Sequence, residues 1–449
     1  ENRGKQEENM KLEEFKANIE IINNKLESRE NFSEEFDNLN LLNFEVTKRL
    51  VTILEKDDNI REKNILEQVI KTNLNDFNTL MYKYSLDHND VVKFKEILVS
   101  FLEEIKRLKY LSIFNDTNTV IVGANGSGKS SLASYLKKSD AAGIIVIPAQ
   151  KILFFLKKIE ASYASELKIR DLEKNDFNNK NYEEDYLVTN KVTALSELFT
   201  YYISAIVNDL ANAGAERIVN NRECEAIYIK LIQIWKKFYF DIELNYDISM
   251  RKLIPKKNDQ IYDINSLSEG EKVTLFYIMV VLFAPKDAYI IVDEPETFLN
   301  PSIYNRLWYL LEENRSDCRF IYLSHNMEFI SSRTSHEIYW CKKYDGKKNW
   351  DIEEISGRME ELPEELVIQL IGSKKNILFC EGNRKSLDYK VYTALFENEV
   401  VVIPVGGHRD VINYTKAYNK SNFFEKKAFG IIDRDFHSQE VLMKYKQFG

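Results

Sequence analysis

Residues 120–131 read VIVGANGSGKSS, an apolar run that breaks into a glycine-rich turn and then opens a helical pattern at Lys129 and Ser130. Glycine reaches backbone conformations closed to other residues, so successive N–H groups of such a turn can point into one hollow. Gly123, Gly128, Lys129 and Ser130 meet the spacing G-x-x-x-x-G-K-[ST] in the strand–loop–helix setting that gives the pattern its meaning. An ammonium at Lys129 would neutralise the β- and γ-phosphates of a nucleotide, and the Ser130 hydroxyl would ligate Mg²⁺. The plainer alternative is a glycine turn that caps a helix; the apolar strand before it argues for a nucleotide site.

Around this loop the composition allows real cores. The 449 residues are 44% hydrophobic and 12% aromatic, enough for two or three domains. Net charge is −9, from 62 Lys and Arg against 71 Asp and Glu. That balance excludes a uniformly basic protein that coats nucleic acid and leaves room for a local basic groove. Cys224, Cys318, Cys341 and Cys380 lack metal-ligand spacing, and three lie in apolar runs, as reduced core thiols of a cytosolic protein would. No apolar run approaches the ~20 residues of a membrane helix, and no signal peptide is visible. The first residue is Glu1 rather than Met, as in a fragment or a trimmed chain.

Residues 1–112 read as helix after helix. Leu12, Phe15, Ile19, Ile22 and Leu26 share one helical face, and a second helix runs from an Asn89/Asp90 cap through Val91, Phe94, Leu98, Phe101, Leu102 and Ile105. This region is either a partner-contacting arm or a lobe packed on the core. After the glycine loop an apolar strand, 143–148, ends at Gln150, which could reach Mg²⁺ or its water or be an ordinary loop residue. Residues 151–264 read as mostly helical and charged, with apolar-periodic segments at 192–210 and 224–240 and an asparagine-rich loop at 173–184.

Apolar structure resumes with LSEGEK (267–272), a helix from Val273 to Phe283, and a buried strand that ends in Asp293-Glu294. A carboxylate there can hold Mg²⁺ through water, and the next can take a proton from an attacking water. A helix at 302–311 and a strand at 320–323 follow, the strand ending in Ser324-His325-Asn326. Ligands of open parallel sheets collect at strand C-terminal ends, which favours a functional His325 over a structural one. Lys342, Lys343, Lys347 and Lys348 could contact phosphates or decorate a solvated hairpin.

The order of these elements resembles the ABC-type ATPase family, in its soluble SMC-like and OLD-family branch. Gly123, Asn125, Gly126, Gly128, Lys129, Ser130 and Ser131 match the family's P-loop. Residues 267–271 resemble the LSGGQ signature, Asp293-Glu294 the Walker B pair with its catalytic glutamate, Gln150 the Q-loop and His325 the switch histidine; Asn300 stands near the D-loop position. The likeness implies an ATP- and Mg²⁺-dependent head-to-tail homodimer, in which Ser268 and the Gly270 N–H of one protomer close on the other's γ-phosphate. Two departures stand out: helices occupy the place of the family's β-rich lobe before the P-loop, and 151–264 is too short for a long SMC coiled coil.

Beyond a linker at 357–374 a fresh α/β pattern begins. Strand 376–380 ends at Glu381, a helix spans 385–395, strand 400–404 and a helix at 410–418 follow, and strand 428–432 ends in Asp433-Arg434-Asp435. Adjacent parallel strands would gather Glu381, Asp433 and Asp435, and clustered carboxylates call for a cation such as Mg²⁺; the alternative is a helix cap and a turn. With FCEGN (379–383), SLDY (386–389), VGG (405–407) and IDRD (432–435), the stretch resembles a TOPRIM domain of bacterial anti-phage systems, PARIS-type, OLD-family or retron-associated. The resemblance implies Glu381 as catalytic acid/base or metal ligand, Asp433 and Asp435 as Mg²⁺ or Mn²⁺ ligands, and DNA or tRNA as substrate. Only fourteen residues follow Asp435, so a truncated TOPRIM module is expected.

The whole therefore reads as α/β: an ABC-type core (113–150 and 265–356) with a helical N-terminal region and a helical insertion, then a TOPRIM-like module (375–449). The expected protein is a bacterial cytoplasmic ATPase controlling a nuclease, with no membrane partner and with a defence-system protein or retron RNA/DNA as possible company. An ATP-driven sensor or scaffold with a non-catalytic TOPRIM-like part is the alternative.

Overall fold

The computed structural model describes residues 12–27, 42, 44–50, 60–83, 86–114, 117–139, 141, 143–149, 153, 198–206, 209–210, 226–247, 252–333, 336–355, 375–396, 398–420, 426–433 and 439–446. Gln150, Cys224 and Asp435, the loop at 173–184 and the linker at 357–374 lie outside the described residues. The strands are β1 (Thr119–Val122), β2 (Ile144–Ile147), β3 (Glu243–Asp247), β4 (Lys252–Lys257), β5 (Gln260–Ile261), β6 (Tyr289–Asp293), β7 (Arg319–Leu323), β8 (Glu337–Tyr344), β9 (Trp350–Glu354), β10 (Asn376–Cys380), β11 (Val400–Pro404) and β12 (Ala428–Ile431). They form a six-stranded sheet of order β2-β6-β7-β1-β8-β9 and two three-stranded sheets, β3-β4-β5 and β11-β10-β12.

The chain divides into two compact units. The first comprises Glu1–Thr117, Ala133–Ile291 and Arg306–Phe320. Its N-terminal helices are Leu12–Glu27, Ile60–Tyr82 and His88–Leu111; Leu12, Phe15, Ile19 and Ile22 on the first and Val91, Phe94, Leu98, Phe101, Leu102 and Ile105 on the third are buried, as their three-four spacing predicts. Phe15 lies between Phe77 and Phe101, with ring centroids 4.9 and 4.7 Å away. The cap of the third helix lies two residues before the expected Asn89. Asp87 is the N-cap, its carboxylate accepting from the Asp90 N–H while Asp90 accepts from the Asp87 N–H. This reciprocal pair satisfies two N–H groups that a single cap would not, and Lys83 Nζ, 2.5 Å from Asp90 Oδ1, offsets the charge of the buried acid.

Among its described residues, the insertion holds strands that its sequence did not lead us to expect. Residues 198–206 and Ile227–Trp235 are helical, but β3, β4 and β5 make a small antiparallel sheet. Asn258 and Asp259, both left-handed (φ 50° and 65°), form the two-residue turn between β4 and β5. Such a turn matches the twist of paired strands, and among the described residues Leu244, Leu253 and Pro255 carry the buried side of the sheet, too few to register as a strand pattern.

The helix Glu269–Phe283 is buried at every position from Lys272 to Leu282. It is apolar all round, as a central helix must be. It begins at Ser268, earlier than the Val273 expected from apolar spacing. The Ser268 hydroxyl accepts from the Glu271 N–H, and Glu271 accepts from the Ser268 N–H at 2.7 Å. Near its other end the Arg315 guanidinium donates to the carbonyls of Val281, Ala284 and Pro285 at 2.7–2.8 Å.

The second unit comprises Asn118–Leu132, Val292–Asn305 and Ile321–Gly449. In it β1 pairs in parallel with β7 and β8, and β8 folds back on β9 as a hairpin with Lys347 and Lys348 at its tip. The C-terminal module centres on β10, parallel to both β11 and β12. The helix His408–Lys420 packs on it closely: a Cβ on Gly430 would stand 2.7 Å from Thr415 Oγ1. Cys318, Cys341 and Cys380 are buried free thiols. Among the described residues no helix is long and apolar enough to cross a membrane.

Candidate nucleotide site and carboxylate pair

Strand order places the first candidate site. The Ser324 N–H donates to the Ile121 carbonyl (3.2 Å) and the Glu294 N–H to the Leu323 carbonyl (2.9 Å), so the C-terminal ends of β1, β7 and β6 stand level. With β7 between the other two, Ser324-His325 emerges between the glycine loop and Asp293-Glu294. Open α/β sheets bind ligands at such an edge.

The loop from Gly123 to Ser130 is shaped by contacts that only glycine permits. Gly126 and Gly128 are left-handed (φ 82° and 100°). A Cβ on Gly128 would stand 2.5 Å from Tyr344 Cβ, and one on Gly123 would stand 2.6 Å from the Cys341 carbonyl oxygen. The β8–β9 hairpin supports the loop from outside: the Trp350 indole N–H donates to the Gly128 carbonyl (2.9 Å), and Tyr344 stacks on Trp350 at 4.6 Å. Asn125, Gly126 and Ser130 are exposed, and Ser131 is half-buried.

Lys129 Nζ donates to the Gly123 carbonyl at 2.6 Å. Burial pushes its pKa below the ordinary lysine value, opposed by Cys341, Asp293, Glu294 and Glu296. The buried Ser127 Oγ has no hydrogen-bond partner among the described residues. Two left-handed glycines, an orphaned hydroxyl and an ammonium folded onto the loop fit a phosphate group.

Asp293 is 3% exposed. Glu294 sits in the left-handed region (φ 49°), unusual for a residue with a side chain. Its Oε2 accepts from Thr297 Oγ1 at 3.2 Å, and its Oε1 lies 3.8 Å from His325 Nδ1. Both groups reach solvent, the side chains being 38% and 52% exposed. The arrangement pairs a shielded carboxylate suited to Mg²⁺ with an accessible one suited to a water's proton. Glu296 and Ser324 were not singled out from the sequence; Ser324 Oγ donates to Glu296 Oε1 at 2.8 Å. The third acid of Asp293-Glu294-Pro295-Glu296 was the available signal. Asn300, at the D-loop-like position, is exposed and accepts from the Ser302 N–H.

In the first unit, Ser268 is the exposed N-cap of the central helix, with Gly270 in its first turn. Their N–H groups and hydroxyl stand at a helix N-terminus, a setting that favours anions.

In the C-terminal module Glu381 follows β10 and Asp433 lies two residues after β12. Because these strands are parallel neighbours, the two acids meet: the Asp433 N–H donates to Glu381 Oε1 at 3.0 Å. Gly382 and Gly406, both left-handed, join the ends of β10 and β11 by two backbone hydrogen bonds. A Cβ on Gly382 would stand 2.7 Å from Ser386 Oγ. Among the described residues no group of three or more His, Cys, Asp or Glu is placed to hold a metal; the described share of this site is a carboxylate pair.

Residues 147–331 match the family model described as "AAA domain, putative AbiEii toxin, Type IV TA system". No curated protein matches the chain. Among solved structures, similarity extends to an SMC head bound to the C-terminal winged-helix domain of ScpA (16% identity, 55% of this chain and 92% of that one, TM-score 0.33). An SMC head domain from Thermotoga maritima aligns at 18% identity over 54% and 91% (TM-score 0.28). A nucleotide-free ATP-binding cassette from an ABC transporter aligns at 16% over 51% and 78% (TM-score 0.26). Likenesses at this level carry no functional weight. Residues 147–331 are thus similar to an AAA-type ATPase domain, and the loop from Gly123 to Ser130 that precedes them has the P-loop spacing.

Proposed function

We propose that this chain is an ATP-hydrolysing switch whose nucleotide state controls a Mg²⁺-dependent TOPRIM-like nuclease, acting as a bacterial anti-phage effector. Lys129 and the N–H groups of residues 126–131 hold the phosphates, while Ser130 and Asp293, with Gln150, hold Mg²⁺. The ion, when bound, neutralises charge on the phosphates. Glu294 takes the proton of the attacking water, and His325 faces the same water from the neighbouring strand end. Ser268 and Gly270 close the partner protomer's site, so ATP favours the dimer and hydrolysis releases it.

The observation that carries the nuclease reading is the Asp433 N–H bond to Glu381, which fastens two acids at neighbouring strand ends. Glu381, Asp433 and Asp435 would hold Mg²⁺ or Mn²⁺, whose charge assists phosphodiester cleavage. The description of the matching family as a putative toxin of a type IV toxin–antitoxin system agrees with an effector that harms its host.

The test is cleavage of DNA and tRNA by this chain, with Mg²⁺ or Mn²⁺ and with or without ATP, in wild type, Glu381→Ala and Lys129→Ala. Cleavage lost in Glu381→Ala while ATP turnover persists supports the reading. Normal ATP turnover with cleavage absent from every form, also after addition of phage-infected lysate, selects the sensor or scaffold reading instead.

A further inference from the structure

Glu296 is an acid for which hydrolysis as described has no use, yet it is drawn into the interior beside the site. Its Oε1 accepts from Ser324 Oγ at 2.8 Å, and Ser324 is fully buried. The same Ser324 Oγ accepts from the Asn326 N–H at 3.0 Å, so one hydroxyl braces both ends of the step that contains His325. On the other side, Glu296 belongs to a tight turn. The Glu294 carbonyl accepts from the Thr297 N–H and the Glu296 carbonyl from the Leu299 N–H, both at 3.1 Å.

That turn is strained. Glu294 (φ 49°) and Phe298 (φ 68°) are both left-handed non-glycine residues and flank Glu296. Such conformations persist where surrounding bonds over-determine them. One described bond that ties the turn's side chains to the His325 loop is Glu296 to Ser324.

We propose that Glu296 is a positioning residue: its hydrogen bond to Ser324 ties the turn bearing Glu294 to the loop bearing His325 and sets their 3.8 Å separation. This rests on the reading of Glu294 and His325 as the hydrolytic pair. Burial pushes the Glu296 carboxyl up, against the lowering effect of its own N–H, Ser324 and His325. Its Oε2 has no hydrogen-bond partner among the described residues. The positioning needs only the oxygen that accepts from Ser324, and glutamine offers the same acceptor in the same shape.

The experiment compares wild type with Glu296→Ala, Glu296→Gln and Ser324→Ala in the full chain, measuring kcat and KM for ATP. Glu296→Ala and Ser324→Ala are expected to lower kcat by about 10–100-fold, the scale of a misplaced reacting group, with KM little changed. Glu296→Gln should restore most of the rate. A wild-type kcat in both alanine variants, or a glutamine variant as impaired as Glu296→Ala, overturns the proposal.

A second readout does not depend on turnover. The imidazole resonance of His325, identified among the five histidines by its loss in His325→Gln, should shift in both alanine variants and coincide with wild type in Glu296→Gln. If wild type hydrolyses no ATP, the ATPase reading fails, and these resonances alone decide the strut. A His325 signal unmoved in Glu296→Ala overturns it.

Discussion

The Asp433 backbone N–H donates to Glu381 Oε1 at 3.0 Å, across the neighbouring parallel strands β12 and β10. The bond engages Asp433 through its amide, so a side-chain substitution there leaves the link between the two strand ends intact.

That separation makes Asp433→Asn a clean probe. The variant keeps the N–H and the size of the side chain and removes one negative charge from the carboxylate pair. Its melting temperature should match wild type, while Mn²⁺ binding measured by calorimetry on the full chain should weaken by at least about tenfold, the scale on which even an outer partner of a metal acts. Unchanged Mn²⁺ affinity would remove Asp433 from the metal site.

Gly128 and Gly346 test loop shape against backbone strain alone. Both are left-handed (φ 100° and 78°), but a Cβ on Gly346 meets nothing within 4 Å, whereas one on Gly128 runs into Tyr344. Gly346→Ala should therefore cost only the left-handed penalty of about 1–2 kcal/mol and leave nucleotide affinity alone. Gly128→Ala should destabilise more and abolish binding of a fluorescent ATP analogue. Equal effects in the two variants would mean that the hairpin does not shape the loop.

The strand–loop–helix around Gly128 was legible in sequence because its determinants are local: apolar residues before the turn, glycines within it, a helix after it. The same holds for Asp293-Glu294 and Ser324-His325, each marked by a buried strand just upstream. Trp350 was not legible, since it donates to Gly128 across 222 residues of chain and nothing in its own neighbourhood announces that partner. Glu296 was overlooked for a related reason. Its partner Ser324 lies 28 residues on, and only the adjacency of β6 and β7 brings them together. The β3–β5 sheet escaped because its strands are short and mostly polar, and its Asn258-Asp259 turn is the one local marker.

Arg315 and Asp317 should give the first unit a measurable acid sensitivity. Arg315 donates to both Asp317 carboxylate oxygens (3.0 and 2.9 Å). This bond, with help from the Asp287 N–H and against burial, holds the Asp317 carboxyl well below the usual carboxylate range. A depressed carboxyl adds stability above its unfolded value of about 3.9 and loses it as pH falls through the folded value. Asp317→Asn should thus cost about 1–2 kcal/mol at neutral pH, a charge-assisted hydrogen bond's worth, and the gap to wild type should narrow as pH drops below about 4. Denaturant melts at several pH values check this; a gap independent of pH would assign the loss to packing rather than to the ion pair.

Glu294→Gln is the sharpest test of a shared nucleotide site. Glutamine keeps an oxygen to accept from Thr297 but cannot take a proton from water, so hydrolysis should fall by about 10²–10⁴-fold while ATP still binds. If Ser268 and Gly270 close the partner's site, the trapped ATP state is a dimer, and light scattering in saturating ATP and Mg²⁺ should show the doubled mass. Adding Ser268→Ala removes the hydroxyl at the N-terminus of the central helix and the cap that holds its first turn, so the double variant should return to monomer. A Glu294→Gln variant that stays monomeric while binding ATP would show that each protomer completes its site alone.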